Sequence, residues 1–131
     1  MKIVLTALLW LALLPAEVVT LITKENALEV LASSNLVLDV YAEWCGPCKQ
    51  FSPVFEKVAK ETTLKIRFAK ANAEGNSGIS EKFNILTIPT IIFLKEGKEI
   101  GRELGYMSAK TLTSKIERYF KEAPLPNSGL N

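Results

Sequence analysis

The sequence predicts an α/β domain, in which a central mixed β-sheet is flanked by helices on both faces. Short apolar or β-branched runs alternate with helical patterns along most of the chain, and this alternation is typical of such a sheet. The run from Leu36 to Ala42 is apolar on both faces except at Asp39, as expected for a strand in the middle of the sheet. Two later runs flank the turn Lys95-Glu96-Gly97-Lys98, where glycine can supply the positive φ of a tight hairpin.

The predicted elements before the two cysteines are a strand and a helix. Val18 to Ile22 is a short β-branched run and predicts the first strand. Thr23 can act as the N-cap of the helix that follows. The apolar stripe of this helix consists of Ala27, Leu28, Val30 and Leu31.

The alternation continues after the cysteines. A helix is predicted from Cys48 to about Lys60, with a kink at Pro53. A third strand is predicted where apolar residues alternate from Leu64 to Phe68, and Lys70 falls on the same face as this apolar set. The remaining predicted elements are a loop at Asn72–Gly78, a short helix at Ile79–Phe83, strands at Thr90–Leu94 and Glu99–Leu104, and a last helix capped by Ser108.

The chain contains two cysteines, Cys45 and Cys48, where the Leu36–Ala42 strand meets the next helix. A Cys-x-x-Cys at such a junction indicates a redox-active pair. Residues three apart on a helix have Cβ atoms roughly 5–6 Å apart, so a small adjustment closes or opens a disulfide without refolding. The start of a helix also favours a nucleophilic thiolate on the first cysteine. Gly46 and Pro47 suit this turn, since glycine permits close approach and proline is tolerated in a first helical turn.

Two other uses of a cysteine pair fit the sequence less well. A structural disulfide stabilises most when it closes a long loop, and this one would close almost none. A zinc site needs four ligands, whereas the chain has two cysteines and no histidine, so only a site shared between two copies would remain. The absence of histidine also excludes Ser-His and Cys-His nucleophile pairs. We therefore expect no metal and no bound cofactor.

Length and charge limit the function further. A chain of 131 residues forms one domain of ordinary size with a single core. Its net charge of +2 does not indicate a nucleic-acid partner. We therefore expect no nucleic-acid binding.

Residues 1–16 have the pattern of a targeting segment. Met1-Lys2 is a short positive start, and the run from Ile3 to Leu14 is uncharged, largely apolar and too short to span a bilayer. This pattern predicts a secretory signal peptide, with export to the periplasm or another extracytoplasmic space.

Leu14 is large at a position where a signal-peptide cleavage site prefers a small residue. A retained membrane anchor, with association through residues 3–14, therefore remains an alternative, and a cytoplasmic location is another. The folded domain is expected to cover residues 17–122. Residues 123–131 contain two prolines, a glycine and polar residues and are expected to form a flexible tail.

Several motifs together resemble the thioredoxin family. The segment Asp39-Val40-Tyr41-Ala42-Glu43-Trp44-Cys45-Gly46-Pro47-Cys48-Lys49 is close to the family signature. Further family motifs follow in the expected order, namely Pro53, Lys70-Ala71-Asn72, Ile88-Pro89-Thr90, the Gly97 turn and Gly105. The resemblance covers residues 17–122 and implies the thioredoxin-like fold. The Cys-Gly-Pro-Cys form is the one typical of thioredoxins proper.

The resemblance implies a role for each residue of the redox centre. Cys45 would be the exposed thiolate that attacks a substrate disulfide, and Cys48 the more buried thiol that resolves the mixed disulfide. Asp39 resembles the family's buried aspartate, and burial in an apolar strand should raise its pKa, as suits an acceptor for the Cys48 proton. Lys70 resembles the family lysine near this aspartate, although a strand-end lysine that reaches solvent is the alternative.

Pro89 resembles the family's cis-proline, which faces the cysteines. A cis bond there would present the Ile88 backbone beside Cys45, where it can pair with an extended substrate segment. The residues expected to bind substrate are Trp44, Gly46, Pro47, Ala73, Thr87, Ile88, Pro89 and Gly105. Tyr41, Ala73 and Thr87 depart from common family residues, which changes the shape of the groove but not the chemistry.

The predicted function is the reduction of disulfides in protein substrates through a reversible Cys45–Cys48 dithiol. The expected partners are these substrates and an upstream dithiol electron donor, and the chain is expected to be a monomer. Two alternatives remain open. One is an exported disulfide oxidant or isomerase, and the other is a non-catalytic binding module with the same fold.

Overall fold

The computed structural model describes residues 17–121. The expected signal or anchor at residues 1–16 and the expected tail at residues 123–131 lie outside the described residues. Within residues 17–121, no helix is long and apolar enough to cross a membrane. The elements are β1 (Val19–Leu21), α1 (Ala27–Leu31), β2 (Asn35–Tyr41), α2 (Gly46–Glu61), β3 (Arg67–Asn72), α3 (Ile79–Phe83), β4 (Thr90–Lys95), β5 (Lys98–Leu104) and α4 (Ala109–Phe120).

The strands form one mixed sheet in the order β1-β3-β2-β4-β5. β2 lies in the middle, parallel to β3 and antiparallel to β4. Its residues from Leu36 to Val40 are all buried, which confirms the prediction of a central strand. β5 pairs with β4 across the predicted hairpin, and both Glu96 and Gly97 in that turn have positive φ, 51° and 80°.

Helices cover both faces of the sheet, as predicted. On one face, Leu36 and Val40 of β2 share a buried cluster with α1 and α3. On the other face, Val37 packs with α2 and α4. Because side chains alternate along a strand, Asp39 lies on the α2 side, where the helix that carries the second cysteine begins. The fold therefore places Asp39 and the N-terminal turn of α2 on the same side of the sheet.

The first helix differs from the prediction in one side chain. α1 has five residues, and Leu28, which was expected in its apolar stripe, is 87% exposed. So short a helix contacts the core only through positions three and four apart, and these are Ala27, Val30 and Leu31. Thr23 caps the turn before the helix rather than the helix itself, since its hydroxyl accepts a hydrogen bond from the Asn26 N–H at 3.2 Å.

The third strand begins later than predicted. β3 starts at Arg67, while Leu64 and Ile66 pack against the α2 side of the core outside any strand. β2 starts at Asn35, and its pairing with β3 begins one residue later, so the residues before Arg67 have no strand partner. The side-chain amide of Asn35 instead donates to the Lys65 carbonyl at 3.2 Å.

The remaining boundaries agree with the sequence patterns to within a few residues. α3 has the predicted bounds. The Ser108 hydroxyl caps α4 by accepting from the Thr111 N–H at 3.2 Å. α2 begins at Gly46, two residues earlier than predicted, because Cys45 rather than a later residue is its N-cap.

Candidate active site

The two cysteines form a disulfide at the N-terminus of α2. Cys45 has extended backbone angles and is the N-cap, while Cys48 lies in the first turn. Their Cα atoms are 5.2 Å apart, within the usual range for a disulfide. The Cys48 N–H points at Cys45 Sγ with an N···S distance of 3.2 Å, as in other N-caps. The same N–H can stabilise a thiolate on Cys45 after reduction.

The segment before β4 lies against the first cysteine. The Ile88–Pro89 peptide bond is cis, as the family resemblance implied. The Ile88 carbonyl oxygen lies 4.0 Å from Cys45 Sγ. The Gly105 N–H donates to the Pro89 carbonyl at 2.8 Å, which holds this segment against the end of β5.

The two cysteines are equally buried in the disulfide form. Cys45 is 4% exposed and Cys48 is 3% exposed, because Tyr41, Ala42 and Ile88 pack around the pair. The exposure of Cys45 as a thiolate stays a prediction.

Asp39 is a buried carboxyl behind the disulfide. It is 3% exposed, and its Oδ1 atom has no hydrogen-bond partner among the described residues. Burial raises the pKa of Asp39 from 3.8 to about 7, although the positive charge of Lys70 acts in the opposite direction. The pKa is raised in the direction expected from the sequence, and such a carboxyl can gain or lose a proton near neutral pH.

Asp39 and Cys48 both line one small cavity. Its volume is about 150 Å³, and its lining includes Asp39, Cys48, Ser52 and Lys70. A water molecule takes up roughly 30 Å³ in the liquid, so the cavity is large enough for water to carry a proton between the carboxyl and the thiol. A second cavity, of about 240 Å³, lies between the C-terminal ends of α2 and α4 and contains none of the predicted site residues.

Lys70 lies next to Asp39 on the neighbouring strand. The two residues are partners in the register of β2 and β3. Lys70 Nζ lies 5.9 Å from the centre of the Tyr41 ring, a cation–π distance. The pKa of Tyr41 is raised, first by burial and then by the charges of Glu43 and Asp39. The structure thus brings Asp39, Lys70 and Tyr41 together behind Cys48.

The predicted substrate-binding residues lie around the disulfide. Trp44 is 68% exposed, which excludes core packing as its role, and its indole N–H donates to Glu74 Oε1 at 2.7 Å. The Ala73 N–H donates to the Tyr41 carbonyl at 2.7 Å. Of the others, Gly46, Pro47 and Thr87 are exposed, Ile88 and Gly105 are half-buried, and Pro89 is buried. Their contact with a substrate stays a prediction.

Three exposed apolar residues near this site were missed by the sequence reasoning. Leu86, Leu104 and Tyr106 are 84%, 63% and 49% exposed, on the segments that also carry Ile88 and Gly105. A single leucine or tyrosine in a loop gives no signal of its exposure. The available signal was that residues 83–94 and 104–109 contain no charged side chain.

Comparisons with known proteins agree with this geometry. The family model described as Thioredoxin matches residues 17–118. A thioredoxin of Chlamydia pneumoniae is 35% identical over 101 residues, which cover 77% of this chain and 98% of that protein. The chloroplastic M-type thioredoxin of Spinacia oleracea is 40% identical over 96 residues, which cover 73% of this chain but only 52% of that longer protein.

A solved structure supports the fold. The thioredoxin Mala s 13 of Malassezia sympodialis superposes with a TM-score of 0.71 at 32% identity, over 82% of this chain and 95% of that one. This similarity confirms the predicted thioredoxin-like fold. The family match also includes every residue of the site, from Asp39 to Gly105.

Proposed function

The chain belongs to the thioredoxin family, and we propose that it acts in its native setting as a dithiol reductant of protein disulfides. Its activity is thiol–disulfide oxidoreduction through Cys45 and Cys48. One observation carries the assignment. The two cysteines form a disulfide on the first turn of α2, and Cys48 lines the same cavity as the buried carboxyl of Asp39.

The first step is attack by Cys45 on the substrate. Its thiolate displaces one sulfur of the substrate disulfide, so one S–S bond breaks, a mixed disulfide forms and a substrate thiolate leaves. The free N–H groups at the start of α2 stabilise the attacking thiolate. The Ile88 carbonyl beside Cys45 offers a hydrogen-bond acceptor to the backbone of an extended substrate segment, which aligns the disulfide for attack.

The second step releases the substrate. Cys48 gives its proton to Asp39, directly or through water in the shared cavity, and attacks Cys45 Sγ. The mixed disulfide breaks, the second substrate sulfur leaves as a thiolate that takes up a proton from solvent, and the Cys45–Cys48 disulfide forms. Two electrons have then passed from the dithiol of the chain to the substrate disulfide.

A reductase that supplies two electrons must restore the dithiol before another cycle. Disulfide-containing proteins and such an upstream electron donor are therefore the partners of this chain. Both steps of the proposed mechanism are exchanges between sulfur atoms, and neither step uses a bound cofactor. We propose that the chain acts as a monomer, because the disulfide, its proton acceptor and the Ile88 segment all lie in one chain.

Three measurements on the full chain test this function. Insulin reduction in the presence of dithiothreitol should be accelerated by the wild type and not by a Cys45→Ser/Cys48→Ser double variant. The reduction potential, measured against glutathione, should lie near that of thioredoxin, about −270 mV. A value between about −180 and −120 mV would instead support the oxidant or isomerase alternative. A double variant that keeps full biological activity would support a non-catalytic binding module.

Export of the chain is a separate proposal, supported by the charge and hydropathy pattern of residues 1–16. In an oxidising compartment, a reductant would need electrons delivered across the membrane. N-terminal sequencing of the protein recovered from its native compartment tests this proposal. Export with cleavage predicts an N-terminus near Glu17, whereas an intact Met1 in a membrane fraction would indicate an anchor through residues 3–14, and in a cytosolic fraction a cytoplasmic protein.

A further inference from the structure

Ser52 lines the cavity behind the disulfide, together with the two groups that exchange the proton in the resolving step. The cavity has a volume of about 150 Å³, and its polar lining includes Asp39, Glu43, Cys48, Lys49, Ser52 and Lys70. Ser52 is half-buried. Its hydroxyl belongs to no family motif and has no part in the two steps described above, so its place in this cavity calls for an explanation.

The position of Ser52 on α2 places it one turn after the resolving cysteine. Cys48 and Ser52 are four residues apart in this helix, so their side chains lie on the same face, and a helical side chain leans towards the N-terminus of its helix. The preceding Phe51 is buried and the following Pro53 is exposed. Ser52 therefore lies at the edge of the buried face of α2, on the side of the cavity.

The Asp39 carboxyl needs a hydrogen-bond partner that the residues of the described part of the chain do not supply. Its Oδ1 atom is buried without such a partner, and buried polar atoms without a protein partner usually bind an ordered water. A buried water typically makes about three hydrogen bonds, so a water on Asp39 requires further polar groups around it. Ser52 and Cys48 line the same cavity and can supply them.

A serine hydroxyl can donate one hydrogen bond and accept others at the same time. Within a helix it commonly donates to the carbonyl four residues earlier, which for Ser52 is the carbonyl of Cys48. Its lone pairs then remain available to accept a hydrogen bond from water. A water held in this way can direct its other hydrogen to Asp39 and its oxygen to the Cys48 thiol, which is the orientation that a proton transfer between these two groups requires.

We propose that Ser52 is a positioning residue for the resolving step, and that its hydroxyl holds a water molecule between the Cys48 thiol and the Asp39 carboxylate. This inference rests on the proposed function. When Cys48 attacks the mixed disulfide, its proton moves to this water, and the water gives another proton to Asp39. Ser52 keeps its own hydrogen. One proton has then moved from sulfur to carboxylate, and the water molecule is restored.

The test measures the resolving step separately from the attack. The reduced full chain is mixed rapidly with the disulfide-linked dimer of an N-acetylated peptide that contains one cysteine, and the reaction is quenched with acid and followed by mass spectrometry. At pH 8, Ser52→Ala should lower the first-order rate constant for resolution about fivefold, because the water loses one hydrogen bond. The second-order rate constant for attack by Cys45 should stay unchanged, since Ser52 takes no part in that step.

Further variants separate this role from a merely structural one. Ser52→Thr keeps a hydroxyl and should keep most of the wild-type rate of resolution. Ser114→Ala, at an exposed position on α4, is the matched control and should change neither rate constant. In the Asp39→Asn background, Ser52→Ala should cause no further loss, because no carboxylate is present to receive the proton.

The effect of Ser52→Ala should also depend on pH. It should be full at pH 8, where Asp39 is ionised, and absent at pH 5, where Asp39 holds its proton. The other titratable or charged groups that line the cavity are Tyr41, Glu43, Cys48, Lys49 and Lys70. All of them are retained in Ser52→Ala, so a loss that appears only at the higher pH points to proton transfer to Asp39.

A high-resolution crystal structure of the full chain gives a readout that does not depend on activity. We expect an ordered water within about 3.2 Å of both Ser52 Oγ and Asp39 Oδ1. A structure without a water in that place would overturn the inference, and so would an unchanged rate of resolution in Ser52→Ala or an equal loss in Ser52→Thr. A wild type that forms no mixed disulfide on Cys45 would instead contradict the proposed function, whether or not the crystal structure contains the water.

Discussion

The disulfide separates two regions of opposite character. Behind it, Asp39 is 3% exposed and shares a cavity of about 150 Å³ with Cys48 and Lys70. In front of it, the apolar side chains of Trp44, Leu86 and Tyr106 are 68%, 84% and 49% exposed. One region buries charge and the other exposes apolar surface, and each arrangement is unfavourable for an isolated chain. The comparison indicates a division of tasks, with proton transfer behind the disulfide and partner binding in front.

The two regions also differ in their cost to stability. The pKa of Asp39 is raised from 3.8 to about 7 in the folded chain, so the folded state holds this proton more tightly than the unfolded state. The free energy of unfolding therefore falls as pH rises from about 4 to 7, by an amount on the order of 4 kcal/mol from this group. Exposed apolar residues carry no comparable pH-dependent cost.

The largest expected effect separates the two cysteines. Cys45→Ser should lower the rate of insulin reduction by at least about 1000-fold, because no attacking thiolate remains. In Cys48→Ser, Cys45 should still attack the substrate disulfide. A mixed disulfide on Cys45 should then accumulate, because no second thiol is present to break it. Mass spectrometry of trapped adducts checks both. Adducts formed equally by Cys45→Ser and Cys48→Ser would show that the two sides of the disulfide are equivalent.

Asp39→Asn should have the next largest effect. The variant should be more stable than the wild type at pH 8, by up to about 4 kcal/mol, because no buried charge must form. Its free energy of unfolding should also lose most of the decline between pH 4 and 7. Urea denaturation at pH 5 and pH 8 measures both quantities.

Glu56→Gln is the matched control for this prediction, since Glu56 is an exposed carboxylate on α2. It should change the free energy of unfolding by less than about 0.5 kcal/mol at either pH. If Asp39→Asn and Glu56→Gln change the free energy of unfolding by the same amount at both pH values, the burial of Asp39 has no special consequence for stability.

Lys70→Met should have a smaller effect on the same region. The positive charge of Lys70 lowers the pKa of Asp39 against the effect of burial, so its removal should move the titration of Asp39 to higher pH. The titration can be followed by carboxyl carbon NMR. Lys60→Met, at an exposed position on α2, should leave it in place, and a shift of equal size in both variants would argue against a local effect.

Glu74→Gln should have the smallest effect, and it acts on the front region. It replaces the charged acceptor of the 2.7 Å hydrogen bond from Trp44 by a neutral one. Because this bond is exposed, the free energy of unfolding should change by less than about 1 kcal/mol. The fluorescence of Trp44 should change in Glu74→Gln. Glu43→Gln is the control, because Glu43 makes no hydrogen bond to Trp44, and it should leave the fluorescence unchanged. A large loss of stability would mean that the front region also supports the fold.

The region behind the disulfide was well predicted from the sequence. Asp39 is a charged residue in an apolar strand, and Lys70 falls on the apolar face of the next strand. The apolar run around Asp39 predicted its burial, strand alternation predicted that Lys70 faces inward, and the family resemblance predicted that the two lie together. The fold class followed from the same alternation, and the errors in it were local, at Leu28 and at the start of β3.

The region in front was predicted only where family motifs extend. Trp44 and Pro89 belong to such motifs, whereas Leu86 does not. Leu28 was expected to be buried and Leu86 was not singled out, yet both are exposed, at 87% and 84%. The exposure of a leucine depends on how the backbone around it is held, and the residue type alone does not reveal this. The burial of Cys45 in the disulfide form was also not predicted.

The division of tasks is tested most directly by the rate at which Cys48 resolves a mixed disulfide, measured against pH. The mixed disulfide is formed on Cys45 with an N-acetylated peptide that contains one cysteine, and release of the peptide thiol is followed in the wild type, Asp39→Asn and Leu86→Ser. The wild type and Leu86→Ser should show a rise in rate near pH 7, where Asp39 loses its proton. In Asp39→Asn the rise near pH 7 should be absent, and the rate should depend on pH only through the ionisation of the Cys48 thiol. Identical profiles in all three would contradict the assignment of proton transfer to the region behind the disulfide.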